Sequence, residues 1–208
     1  MKKIFIFDFD GTLTTQDMLD EVCDIVGKKK ESKKINDEVI NGRKDGVITA
    51  LCARVNFLKG VTNKEIEEKL GKKNYLRNGV VELFKVLNEK GYITIISSGS
   101  ILPVLKYYQE LLNITYVFGS DPDIVDGVIT GINESKYKSE NFKYENCLNI
   151  IEKFKDDEKI IYGIGDSAVD IKMLSLADKK FAIDPKGNLD KHVDHIINDI
   201  SDLIEYLD

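Results

Sequence analysis

Cysteine is scarce in this 208-residue chain: only Cys23, Cys52 and Cys147 are present. Their wide spacing gives no zinc-type pairs, and an odd count leaves no complete disulfide framework. Each is expected to be a small buried hydrophobe, with a reducing cytoplasm as the expected location. Histidine is equally sparse. His192 and His195 flank Asp194 with no third ligand nearby, which favours structural or surface roles over metal binding. No apolar stretch is long enough to span a membrane, and the run Ile4–Phe7 is too short for a signal peptide. Dense basic runs are missing: Lys28–Lys30 with Lys33 and Lys34 form only a short cluster, read as a solvated helix end. With a formal net charge of −6, this weighs against a nucleic acid polymer as partner, and the absent span weighs against a membrane. Repeats, low-complexity tracts and flexible linkers are absent too. The length fits one substantial domain, or one domain with a modest insert. The residues set no oligomeric state.

What the chain does have lies at its start. Ile4-Phe5-Ile6-Phe7 is a β-prone apolar run, read as a buried strand. Asp8-Phe9-Asp10-Gly11-Thr12 follows at once, placing two carboxylates at the strand's carboxyl end. In open α/β sheets, ligands bind just outside those ends. Paired carboxylates repel unless something cationic holds them, and Mg2+ suits carboxylate oxygens. One of the pair could serve as a nucleophile while the other moves protons. The short pattern is also compatible with a glycosyltransferase-type metal site, the acidic pair of a receiver domain, or a plain strand-to-turn junction.

Beyond Thr14 the apolar period becomes helical. Met18, Leu19, Val22, Ile25 and Val26 share a face that ends at Gly27. Further helices are predicted over Lys33–Asn41, stopping at Gly42, and over Val47–Leu58. A fourth should start at Thr62, where Glu65 completes a capping-box signature. Residues 15–73 therefore read as all-helical. Downstream, strands and helices alternate. Helices are expected over Val80–Lys90, Ile101–Leu112 and Phe142–Phe154. Strands are expected over Tyr92–Ser97, Thr115–Phe118, Ile160–Ile164 and Lys180–Ile183, with an Asp126-Gly127 hairpin. This alternation indicates a parallel sheet covered on both faces, with the helical segment inserted after the first strand.

Three more places could carry chemistry. Ser98-Gly99-Ser100 ends the second strand, where a hydroxyl and open amides can bind a phosphoryl group; Ser100 could equally just cap the next helix. Asp166 and Asp170, four apart after the strand Ile160–Ile164, could face one ion, or could serve only as a helix cap and a dipole partner. Lys143 opens a helix and could neutralise charge between a phosphate and a nucleophile, with Lys136 and Lys138 as competing candidates.

In order, these motifs resemble those of the haloacid dehalogenase-like hydrolases, mostly phosphatases, over nearly the whole chain. The closest resemblance is to the phosphoserine phosphatase branch. It implies an α/β fold: a Rossmann-like, mainly parallel sheet with helices on both faces and a small all-helical cap after the first strand. The core would be residues 1–14 and 74–208, and the cap residues 15–73. It further implies Asp8 as nucleophile forming an aspartyl-phosphate and Asp10 as general acid and then base. Mg2+ would be held by Asp8, Asp166, Asp170 and Asp10, the last through its backbone carbonyl. Ser98, Gly99 and Lys143 would bind phosphate, and Asp17 and Arg54 would read the leaving group. The chain differs from the branch at two positions: Asp17 stands for the usual glutamate, and Val169 for the usual asparagine. The expected activity is Mg2+-dependent hydrolysis of a small phosphate ester, phosphoserine first. A methionine-salvage sugar phosphate or a nucleotide is the alternative substrate. A phospho-accepting signalling module or a non-catalytic phosphate-binding protein is the alternative of another class.

Overall fold

The first strand, β1 (Lys2–Phe7), is apolar at successive positions because both of its faces are covered. Phe5 and Phe7 point to one side, their rings stacked 4.2 Å apart. Ile4 and Ile6 point to the other and join a separate apolar layer. The structure, a computed structural model, describes residues 1–40, 46–137 and 139–207.

After β1 come the helices α1 (Met18–Cys23), α2 (Lys29–Ile40), α3 (Val47–Asn56) and α4 (Asn63–Leu70). The predicted stop at Gly42 and the candidate Lys138 lie outside the described residues. Helix α2 starts at Lys29 rather than Lys33, and Lys29 is drawn in by an ion pair with the buried Glu21. Helix α4 begins with the expected capping box. Glu65 N–H donates to Thr62 Oγ1 at 3.2 Å, and Thr62 N–H donates to Glu65 Oε2 at 2.8 Å. Such a cap contributes about 1 kcal/mol.

The chain continues through α5 (Val80–Glu89), β2 (Ile93–Ile101), α6 (Leu102–Leu112) and β3 (Tyr116–Ser120). The hairpin β4 (Asp123–Val125) and β5 (Val128–Gly131) turns on Asp126 and Gly127, both at positive φ, as a two-residue turn of this kind requires. Then follow α7 (Phe142–Ile151), β6 (Lys159–Gly165), α8 (Ile171–Leu174), β7 (Lys179–Ile183) and β8 (His195–Ile197). The expected strand end at Ser97 is overtaken. β2 runs on to Ile101, with a register shift against β3 between Ser97 and Ile101. Cys23, Cys52 and Cys147 are all buried and free, and the His195 ring stacks on Phe181.

Six strands form one sheet in the order β3-β2-β1-β6-β7-β8, every neighbouring pair parallel. The fold is thus a Rossmann-like α/β sheet with helices on both faces. Strand order reverses beside β1: the chain runs outward through β2 and β3, then returns to β6 on the other side. Such a reversal opens a crevice at the carboxyl ends of the flanking strands. Asp8 follows β1 directly and Asp166 follows β6 directly, so topology alone brings them to one crevice. No helix among the described residues is long and apolar enough to cross a membrane.

Candidate active site

A cavity of about 700 Å³ sits at this crevice, and Asp8, Asp10, Arg54, Ser98, Lys143 and Asp166 all line it. Asp17 and Gly99 line it as well. Asp8 is buried, because its backbone extends the β1–β6 ladder by a bond to the Ile164 carbonyl. Its Oδ1 accepts from Lys143 Nζ at 2.6 Å and its Oδ2 from Thr12 Oγ1 at 3.0 Å. Burial, then repulsion from Asp170, pushes the Asp8 carboxyl up to about 7 despite the attraction of Lys143. Lys143 sits in the first turn of α7 and also donates to Asp170 Oδ1 at 2.8 Å. Burial works against its charge, but Asp170 and Asp8 outweigh burial and hold the ammonium well above its ordinary value.

Gly11 turns the chain sharply after Asp10. Its φ is +84°, and a Cβ there would lie 2.2 Å from Asp166 Oδ2. Only glycine permits both the conformation and this approach. Asp170 Oδ2 accepts the backbone N–H groups of Asp166 and Ser167 at 3.2 and 3.1 Å. The pair expected four residues apart therefore faces one point.

Asp8, Asp166 and Asp170 each offer an oxygen within 4.8 Å of the others, and all three are buried. Burial also raises the Asp166 carboxyl, with Asp170 adding repulsion against the pull of Lys186. Crowded, buried, hard oxygen donors of one sign fit a divalent cation. The Asp10 carboxylate is not among these donors. Its Oδ1 accepts Met18 N–H at 2.8 Å and its Oδ2 accepts Ser98 Oγ at 3.2 Å. Burial first, then Asp17, raises it well above the usual carboxylate range. A carboxyl raised in this way keeps its proton to higher pH than a free one, which suits a group that protonates a leaving oxygen.

Ser98 Oγ also accepts the Ser100 N–H at 3.0 Å, so the Ser98–Ser100 loop is braced from within. A Cβ at Gly99 would lie 3.0 Å from the Leu51 side chain, and the Gly99 carbonyl accepts from Ser120 Oγ at 2.7 Å. Of the competing lysines, Lys136 pairs with Asp123 at 2.8 Å, away from the carboxylate triad.

Arg54 is almost wholly buried, at 2% exposure. Its Nη2 lies 2.5 Å from Asp17 Oδ1 and 3.0 Å from Asp20 Oδ1, and Nε donates to Ser32 Oγ at 2.9 Å. Asp17 caps α1 by accepting the Asp20 N–H, and also accepts from Asn36. Asp20, Ser32 and Asn36 are absent from the sequence-based set, as is Lys186, whose Nζ lies 2.6 Å from Asp166 Oδ2. Asp20 was within reach of the pattern, being three residues from Asp17 on one helix. Lys186 had no local signal.

Residues 5–175 match the haloacid dehalogenase-like hydrolase family. The chain belongs to that family. It is 31% identical to the phosphoserine phosphatase of Methanocaldococcus jannaschii over 99% of this chain and 98% of the relative. Identity to the phosphoserine phosphatase of Campylobacter jejuni subsp. doylei is 30%, over 100% of this chain and 99% of the relative. A solved structure described as a substrate-bound phosphoserine phosphatase complex superimposes with a TM-score of 0.83 at 29% identity, covering 100% of this chain and 99% of that one.

Proposed function

We propose that this hydrolase cleaves phosphomonoesters of small metabolites through an aspartyl-phosphate on Asp8, with phosphoserine as substrate and Mg2+ as its metal. The observation that carries the reading is the placement of Asp8. It is a buried carboxylate at the sheet's reversal, held by Lys143 and faced by Asp166 and Asp170. The match to phosphoserine phosphatases over nearly the full chain supports the substrate.

In this reading a carboxylate oxygen of Asp8 bonds to phosphorus as the ester oxygen departs. Asp10 gives that oxygen its proton, then takes one from the water that hydrolyses the Asp8 phosphate. Lys143 stands between Asp8 and the incoming phosphate and lowers their repulsion, while Ser98 and the Gly99 backbone bind phosphoryl oxygens. Positioning and charge stabilisation dominate phosphoryl transfer. Bound between Asp8, Asp166 and Asp170, with the Asp10 carbonyl, Mg2+ would supply positive charge to the phosphoryl oxygens. Residues 15–73 would act as a cap over residues 1–14 and 74–208, excluding water and presenting Arg54 and Asp17 to the leaving group. The proposal places the protein in the cytoplasm, acting on a small phosphate ester and on neither nucleic acid polymers nor membranes.

Phosphate release from L-phosphoserine, a sugar phosphate and a nucleotide, each with Mg2+ and with chelator, tests this. Phosphoserine should be turned over fastest, and only with Mg2+. Faster turnover of either other ester would move the assignment to that substrate. Full activity in chelator would remove the metal from the scheme.

A further inference from the structure

We propose that Lys186 is a positioning residue for the metal site, holding Asp166 in the metal-free protein and releasing it when a divalent cation binds. The inference rests on the reading that Asp8, Asp166 and Asp170 hold a cation, and it adds a determinant of how tightly they do so.

Two lysines neutralise the carboxylate triad, and they are unlike. Lys143 is 14% exposed in its side chain and bridges Asp8 and Asp170. Lys186 is 58% exposed and, among the described residues, pairs with Asp166 alone, through Oδ2 at 2.6 Å. A buried ammonium bound to two carboxylates cannot leave without a large desolvation imbalance. A half-exposed ammonium swings into water at little cost. With Lys186 withdrawn, three carboxylates facing Lys143 and a dication are electrically balanced; with Lys186 in place the cluster carries excess positive charge. A cation entering the triad therefore competes with Lys186.

The base of this side chain is fixed. Lys186 N–H donates to the Asp166 carbonyl at 2.7 Å. Arg77 clamps the same loop, pairing with Asp184 at 2.8 Å while its Nη2 donates to the Gly11 carbonyl at 2.7 Å. Asp184 sits at a φ of 44°, a left-handed conformation that a side chain tolerates only when its surroundings hold it. The backbone after β7 is thus tied to the turn after β1. Lys186 begins within reach of Asp166, and only its side chain need move.

Calorimetric titration of Mg2+ into the metal-stripped full-length protein tests this without any turnover measurement. Lys186→Met should bind Mg2+ about 2–5-fold more tightly than the unmodified protein, the range expected for removing one half-exposed competing charge. Lys186→Arg, which keeps the charge, should not gain affinity. Raising ionic strength should narrow the difference between Lys186→Met and the unmodified protein, since a half-exposed charge is screened. In chelator Lys186→Met should melt below the unmodified protein, and saturating Mg2+ should close that gap. Unchanged or weaker Mg2+ binding by Lys186→Met, with the unmodified protein binding normally, overturns this proposal alone. Failure of every variant to bind Mg2+ overturns the metal reading and this proposal with it.

Discussion

Arg54 Nη2 lies 2.5 Å from Asp17 Oδ1, in a part-buried ion pair that joins α3 to the start of α1. The Asp17 carboxylate is thus engaged both by Arg54 of α3 and by the helix that it caps. Asp20 and Ser32 complete the set around the guanidinium.

Arg54→Ala should therefore act on folding as well as on recognition. It leaves Asp20 and Asp17 without their cation, and breaking a buried pair from one side costs about 3–5 kcal/mol. Thermal melting should show a large drop, and activity should fall on both phosphoserine and a simple aryl phosphate. Arg54→Lys keeps the charge and loses the planar fork. It should retain most stability while losing about 10–150-fold in kcat/KM for phosphoserine and little for the aryl ester. Equal losses on the two esters by Arg54→Lys would confine Arg54 to a structural role.

Tyr137 should influence the Ser98–Ser100 loop, proposed to bind phosphate, from a distance. Its hydroxyl donates to Ser120 Oγ at 2.5 Å, and Ser120 Oγ donates to the Gly99 carbonyl at 2.7 Å. Burial pushes the phenol up to about 12, so it remains a donor at working pH. Tyr137→Phe leaves the ring in place and frees Ser120. A rise in KM of about 2–10-fold is expected, in line with one neutral hydrogen bond, with melting temperature nearly unchanged. A KM equal to that of the unmodified enzyme would show that Ser120 alone fixes the loop.

The motifs around Asp8 and Asp166 were legible because each sits where a strand gives way to a turn, and strand ends announce themselves by an apolar run followed by glycine or small polar residues. Ile4–Phe7 with Asp8 and Gly11, and Ile160–Ile164 with Asp166, are such junctions. The Ser98–Ser100 segment was harder to place, because the register shift that carries β2 on to Ile101 depends on its pairing with β3. Lys186 was illegible for the same reason on a larger scale. Its partner is set by the β6–β7 register and by Arg77, over a hundred residues away in sequence. The pairing among α1, α2 and α3 was half legible. Asp17 and Arg54 were found through resemblance, while Asp20 and Ser32 are common surface types whose burial only the packing of α1, α2 and α3 reveals.

Val169→Asn should be thermally silent. Val169 is 52% exposed at the cavity's edge rather than buried, so an amide there stays hydrated and stability should change by less than about 0.5 kcal/mol. The effect to seek is on substrate range. If the valine adapts the cavity to a less polar leaving group, Val169→Asn should raise kcat/KM for phosphoserine relative to a more apolar phosphate ester. An unchanged ratio would show that this position does not select substrate.

Asp8→Asn should separate catalysis from stability. An amide is a poor nucleophile, so turnover should fall by at least about four orders of magnitude; substantial residual activity would remove Asp8 from that role. In the metal-free protein the same change should stabilise the fold, and the sign follows from proton binding. Native Asp8 titrates near pH 7, against an ordinary value of 3.8. Between those values the unfolded chain has released its proton and the native chain has not, so stability falls as pH rises. The penalty is absent below about pH 4 and complete above about pH 7. Asparagine carries none of it. In chelator at pH 8, Asp8→Asn should melt above the unmodified protein, and the difference should shrink towards pH 4. Adding Mg2+ at pH 8 should narrow it from the other side, because the unmodified site keeps its third carboxylate for the ion. A variant that melts lower at pH 8 in chelator, or whose advantage persists unchanged at pH 4, would show that the strain at Asp8 does not arise from its buried charge.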